Sequence, residues 1–173
     1  MSDVLDILKY TLPALIVFLT AYLLIRKFLD NDLRIKKADL MLRNDQYILP
    51  VRMQAYERIV LFLERISPES LLMRVNRQGL TSKQLHTELL TVIRAEFEHN
   101  LTQQIYINKD SWEVIKNARS NLINIINTAA KSIEPEAPSI QLSQAILEEI
   151  IDKEHSPTDV AIDFLKKEIN ELF

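Results

Sequence analysis

The chain has 173 residues, 21 basic and 24 acidic side chains, one glycine and no cysteine. Without cysteine there are no disulfides and no thiolate metal sites, and one glycine leaves little material for a phosphate-cradling loop. A net charge of −3 with no basic surface interleaved with aromatics excludes the usual nucleic-acid binder, so no nucleic acid is expected as a partner.

The first element is apolar: residues 10–25, between Lys9 and Arg26, carry no charge. As a helix they reach about 24 Å, short of the ~30 Å hydrocarbon layer of a bilayer. Extending back to Leu5 gives about 31 Å, with Lys9 lifting its ammonium towards the headgroups. Leu5, Leu8, Tyr10, Leu15, Ile16, Phe18, Tyr22 and Ile25 therefore predict a transmembrane anchor over 1–25. It is apolar around its whole circumference, unlike every later segment. A cleaved signal peptide would start with positive charge and end in a small-residue cleavage site. Asp3 and Asp6 occupy the start, and no such site follows. Arg26, Lys27, Arg34, Lys36 and Lys37 come directly after the anchor, and an excess of Lys and Arg marks the cytoplasmic side. The expected topology is single-pass, amino terminus outside and the rest in the cytoplasm. Pro13 falls in the first turns of the span, where it kinks the helix or starts a straight section.

Residues 26–49 read as a basic juxtamembrane helix with an irregular apolar stripe of Leu29, Leu33, Leu40 and Tyr47. The stripe is shorter than the three or four heptads a coiled coil needs, yet it keeps a homo-oligomer among the readings. Charge is graded along the chain: residues 26–65 hold nine basic and six acidic side chains, residues 134–173 three basic and ten acidic. The basic part thus adjoins the lipid and the acidic part stays clear of it.

A bundle over 50–133 follows. Pro50 is placed as a first-turn proline, and Met53, Tyr56, Ile59, Val60, Leu63 and Ile66 recur at the spacing of one buried face. "YERI" at 56–59 returns as "LERI" at 63–66, stacking Glu57 over Glu64 and Arg58 over Arg65. Leu61 and Phe62 widen the apolar arc and are the candidate partner surface. Ser67 and Pro68 open a short helix that ends near Gly79. A capping box from Thr81 to Gln84 opens a long helix with Leu85, Leu89, Val92, Ile93, Phe97, Leu101 and Ile105 inward. A second box, Asp110 to Glu113, starts another with Trp112, Ile115, Leu122, Ile126, Ala129 and Ile133 inward. "EPEAPS" at 134–139 reads as a linker to an acidic helical hairpin over 140–173. Its apolar residues are Leu142, Ile146 and Ile150 in one helix and Val160, Phe164, Leu165 and Ile169 in the other. The fold class is all-α.

No nucleophile elbow or phosphate loop occurs. Glu96 and His99 stand three apart, the spacing used where a carboxylate and an imidazole share a di-metal centre in a bundle. Such a centre needs a matching pair, and the nearest, Asp152 with His155, falls at a helix end. These residues, like His86, read first as solvated or capping groups, and Trp112 reads as a core anchor. No metal, cofactor or catalytic residue is assigned.

The stretch "YILPVRMQAYERIVLFLERISPESLLMRV", 47–75, resembles an uncharacterised bacterial family of short proteins with one amino-terminal span and a helical cytoplasmic part. The resemblance covers most of the chain and implies no known activity. The functional expectation is a membrane-anchored helical adaptor or small accessory subunit, not an enzyme, at the bacterial inner membrane. Its partners would be the bilayer and a cytoplasmic-face protein. The alternative is a membrane-tethered metal-binding bundle or enzyme using Glu96 and His99.

Overall fold

A computed structural model describes the backbone of residues 2–151 and 155–171, and the side chains of 15–36, 47–151 and 155–171. The described residues are all-helical. Helix α1 spans Ser2–Arg65, α2 Pro68–Val75, α3 Ser82–Asn100, α4 Lys109–Lys131, α5 Ser139–Ile151 and α6 Pro157–Glu171, with a 3-10 helix, Leu101–Ile105, after α3. The chain divides into two compact units, Met1–Leu49 and Pro50–Phe173.

In the first unit, Leu15, Ile16, Phe18, Tyr22 and Ile25 are all exposed, Phe18 at 71%. No helix among the described residues is long and apolar enough to cross a membrane. Of the expected span, residues 15–25 are described with their side chains. The remainder of the expected span, with Leu5, Leu8 and Tyr10, lies outside the described side chains, as do Lys37 and Leu40. Arg26, Lys27, Arg34 and Lys36 are exposed, and Lys36 pairs with Asp32 at 2.9 Å.

Pro50 does not begin a helix. It lies inside α1, where its missing N–H costs the ladder one bond without ending the helical conformation. In the second unit α1 turns Tyr56, Ile59, Phe62 and Leu63 into the core, and Ile66, just past its end, is buried with them. Helix α2 begins at Pro68 as expected, but Ser67 Oγ donates to Ser70 Oγ at 2.9 Å and makes no side-chain cap bond. Gly79 sits in the following turn at φ +92°, a conformation that favours glycine.

The capping box at α3 is formed. Thr81 Oγ1 accepts from the Gln84 N–H at 3.3 Å, and Gln84 Oε1 accepts from the Thr81 N–H at 3.0 Å. The expected linker meets the remaining orphan donors of that helix end: the Ala137 carbonyl accepts from the Ser82 N–H at 2.8 Å and the Pro135 carbonyl from the Lys83 N–H at 3.0 Å. Residues 134–139 are thus a strap over the start of α3, tied also by the Ser139 N–H to the Leu80 carbonyl at 3.0 Å.

At its far end α3 stops earlier than apolar spacing suggests. The Asn100 amide donates to the Glu96 carbonyl at 2.8 Å, and the chain tightens into the 3-10 helix, leaving Leu101 and Ile105 exposed. Helix α4 is capped by Asn108, whose Oδ1 accepts from the Ser111 N–H at 2.7 Å, so the box expected at Asp110 is displaced by two residues. Trp112, Ile115, Leu122, Ile126 and Ala129 are buried as the spacing predicts. Ile133 lies beyond the end of α4 and is only partly buried.

The last two helices belong to the bundle. Helix α5 packs on α2, α3 and α4, and α6 packs on α4. Leu142 and Ile146 are buried as expected, whereas α6 turns Ala161, Ile162 and Leu165 inward and leaves Val160 and Phe164 exposed. The inward face of α6 includes Thr158 at one end and leads to Glu168 at the other, and the bonds made by Glu168 explain that choice of face.

Candidate functional site

Two side-chain sets singled out from the sequence meet in one groove of the second unit. Arg58, Leu61 and Arg65 of α1 form one wall, and Ala95, Glu96 and His99 of α3 form part of the other, around a volume of about 570 Å³. One step along a helix is a rotation of about 100°, so neighbours in sequence face different ways. Phe62 turns into the core at 1% exposure and meets Phe97 with ring centroids 5.9 Å apart, while Leu61 remains 58% exposed. Phe62 is therefore a core residue and not partner surface, and Leu61 alone keeps that place.

Glu96 is held by arginine. Its Oε1 accepts from Arg65 Nε at 2.9 Å and lies 2.6 Å from Arg65 Nη2, with Arg74 Nη1 at 3.5 Å. Arg74 Nη2 also donates to the Arg65 carbonyl at 3.2 Å, which joins α2 to the end of α1. With two guanidiniums already balancing it, this carboxylate is poorly placed to share a cation with His99, which is exposed on the groove wall. No group of three or more potential metal ligands is brought together among the described residues, and Asp152 lies outside them.

His86 lies half-buried, its Nε2 2.8 Å from Asn127 Oδ1, beside a groove of about 670 Å³ flanked by Lys83 and Lys131. Trp112 is a core anchor, stacked on Phe97 with centroids 5.7 Å apart and planes 28° apart.

The strongest polar cluster had no local sequence signal. Glu168 of α6 accepts the Tyr56 hydroxyl proton at 2.7 Å, and it also accepts from the Asn108 amide and the Ser111 hydroxyl. Its carboxylate thereby sits at the N-terminal end of α4, where the helix dipole favours negative charge, and ties α6 to α4 and α1. Arg52 braces the same region by donating to the Tyr106 carbonyl at 3.2 Å. Burial, then the hydrogen bond and charge of Glu168, raise the Tyr56 pKa above its ordinary value of 10.0, with Arg52 pulling the other way.

The folded chain thus keeps a phenol proton that the unfolded chain releases near pH 10. That contribution to stability is complete below the unfolded value and lost as pH rises through the folded one. Unfolding midpoints in urea measured between roughly pH 8 and 11 should fall more steeply for the native chain than for Tyr56→Phe. Parallel curves would show that Tyr56 does not carry this loss.

These features describe a scaffold whose polar groups bind one another. Residues 2–172 match DUF7935, a family of unknown function. The chain belongs to that family. No curated protein and no solved structure matches the chain.

Proposed function

We propose that this family member is a membrane-anchored helical adaptor or small accessory subunit of the bacterial inner membrane, without catalytic activity of its own. The observation that carries the reading is the apolar surface of α1. From Leu15 to Ile25 its large side chains are exposed on every side, and in the sequence the uncharged run begins at Tyr10, with Leu5, Ile7 and Leu8 extending the apolar stretch past Lys9. Surface of that extent in water is costly, and lipid removes the cost. The basic residues from Arg26 to Lys37 then set the amino terminus outside and the bundle in the cytoplasm.

The adaptor part of the reading is supported by what the bundle's polar groups do. Glu96 and Glu168 are engaged in structural bonds, while Leu61 stands exposed between charged rows on α1. The partner is a protein at the cytoplasmic face. Purification of the full-length protein from native membranes in mild detergent is expected to bring down a companion in fixed stoichiometry. Leu61→Glu should reduce its recovery several-fold, as loss of a central apolar contact does. Recovery of the protein alone would overturn the adaptor reading.

A further inference from the structure

From Lys116 to Ile133 the chain carries no carboxylate, and Asn124, Asn127, Thr128 and Lys131 recur there at the spacing of one face of α4. Packing sets that face against the start of α3, where Lys83 and His86 stand three apart, and leaves a groove of about 670 Å³ between them. That volume lies in the range of small-molecule sites. Ala130 of α4, Ile133 just past it and Pro135 of the strap give the groove an apolar bed.

The formal charge at this groove is all positive. Lys83 and Lys131 are exposed and make no ion pair among the described residues, whereas Glu88, the first carboxylate of α3, is bound to Arg77 at 2.8 Å. Glu134 and Glu136 of the strap are exposed and do not line the groove. His86 Nε2 donates to Asn127 Oδ1 at 2.8 Å, so the Asn127 amide hydrogens have no acceptor among the described residues. The free donors are side chains, because the strap and the capping box already take the first N–H groups of α3.

An occupant must therefore bring acceptor oxygens and negative charge for two ammonium groups, together with an apolar part for Ile133 and Pro135. A phosphate monoester is close to a dianion at neutral pH, carries three strong acceptor oxygens, and is a group that lysine binds as a point charge. We propose that this groove binds a small phosphate monoester with an apolar body. Lys83, Lys131 and the Asn127 amide hold the phosphate, and the body lies on Ala130, Ile133 and Pro135. The site is independent of the membrane and adaptor readings, since all of its residues belong to the second unit.

The probe is phenyl phosphate, titrated calorimetrically into the full chain in mild detergent, with inorganic phosphate and phenol as its two halves. Phenyl phosphate is expected to bind at least about tenfold more tightly than either half, because it alone uses both the cations and the apolar bed. Lys83→Gln and Lys131→Gln should each weaken it roughly three- to fivefold, as loss of one exposed charge contact does. Lys167→Gln, on α6 and outside the groove lining, should leave it unchanged. All three lysines are exposed, so folding is not at stake. No saturable binding of phenyl phosphate, or equal binding by the native chain and both groove variants, overturns the site. Equal affinity for inorganic phosphate removes the apolar body, and equal affinity for phenol removes the phosphate; either result overturns the monoester. The same head chemistry occurs in phosphatidate. Displacement of the probe by phosphatidate mixed into the detergent assigns the groove to a lipid head, and retention of the probe assigns it to a soluble ester.

Discussion

Phe97→Ala is expected to destabilise the bundle by about 3–5 kcal/mol, a large part of the roughly 5–15 kcal/mol that holds a domain together. The Phe97 ring lies between Phe62, 5.9 Å away, and Trp112, 5.7 Å away, so removing it leaves a void bounded by two rigid aromatics. Rigid walls relax little, and the cost of a cavity grows with the volume left unfilled. A second loss comes from α4. The Arg119 guanidinium carbon stands 3.9 Å from the centroid of the Phe97 ring, and its buried Nε has no hydrogen-bond partner among the described residues. The ring is the favourable contact that offsets that burial, through a cation–π attraction of about 1 kcal/mol. Urea unfolding of the full chain in mild detergent measures the effect, and Trp112, the only tryptophan, reports it by fluorescence. Phe97→Leu, which keeps most of the volume, should lose clearly less. Equal losses for the two would mean that the cavity does not carry the effect, since both variants lose the cation–π contact.

Glu168→Ala should cost about 2–4 kcal/mol by a different route. The carboxylate is the shared acceptor for Tyr56, Asn108 and Ser111, and the side chains of Tyr56 and Ser111 are buried at 1% and 0% exposure. Deleting it leaves two hydroxyls in the core without an acceptor, each carrying its desolvation penalty. Glu168→Gln retains one acceptor oxygen and should lose about half as much. The same urea series measures both. A loss below about 1 kcal/mol for the alanine variant would show that water replaces the carboxylate and that the cluster does not hold α6 in place.

The contrast between Thr81 and Glu168 shows where the sequence was readable. The box at Thr81 and Gln84 is a contact three residues long, so residue identity and spacing suffice to see it. The inward rows Tyr56, Ile59, Leu63 and Ile66, and Trp112, Ile115 and Leu122, were legible for a similar reason, because a single helical period places them. Glu168 meets Tyr56 across 112 positions, and nothing local in either segment announces it.

Its consequences spread into the errors nearby. The start of α4 offers two capping residues, Asn108 and Asp110. Asn108 is the one that also donates to Glu168, and it takes the cap. On α6, apolarity alone favoured Val160 and Phe164 as inward residues. The face that leads to Glu168 is the one that packs, and both remain exposed. Phe62 was misread for a geometric reason: in an arc wider than one stripe, spacing cannot tell which edge turns inward until the partner ring of Phe97 is known. The groove that joins Leu61 to Glu96 and His99 is likewise a product of packing between α1 and α3, and its arginine-held carboxylate had no signature in the "EFEH" run.

The proposed adaptor depends on a membrane anchor. Its most direct test is fractionation of native cells lysed without detergent, with the pellet washed first in high salt and then in alkaline carbonate. The chain should stay in the pellet through both washes and dissolve only in detergent, while Phe18→Lys combined with Leu23→Lys shifts it to the soluble fraction, since two charges in the apolar run oppose insertion. Native protein in the supernatant at lysis, or released by salt alone, would contradict the anchor and with it the adaptor's place at the membrane.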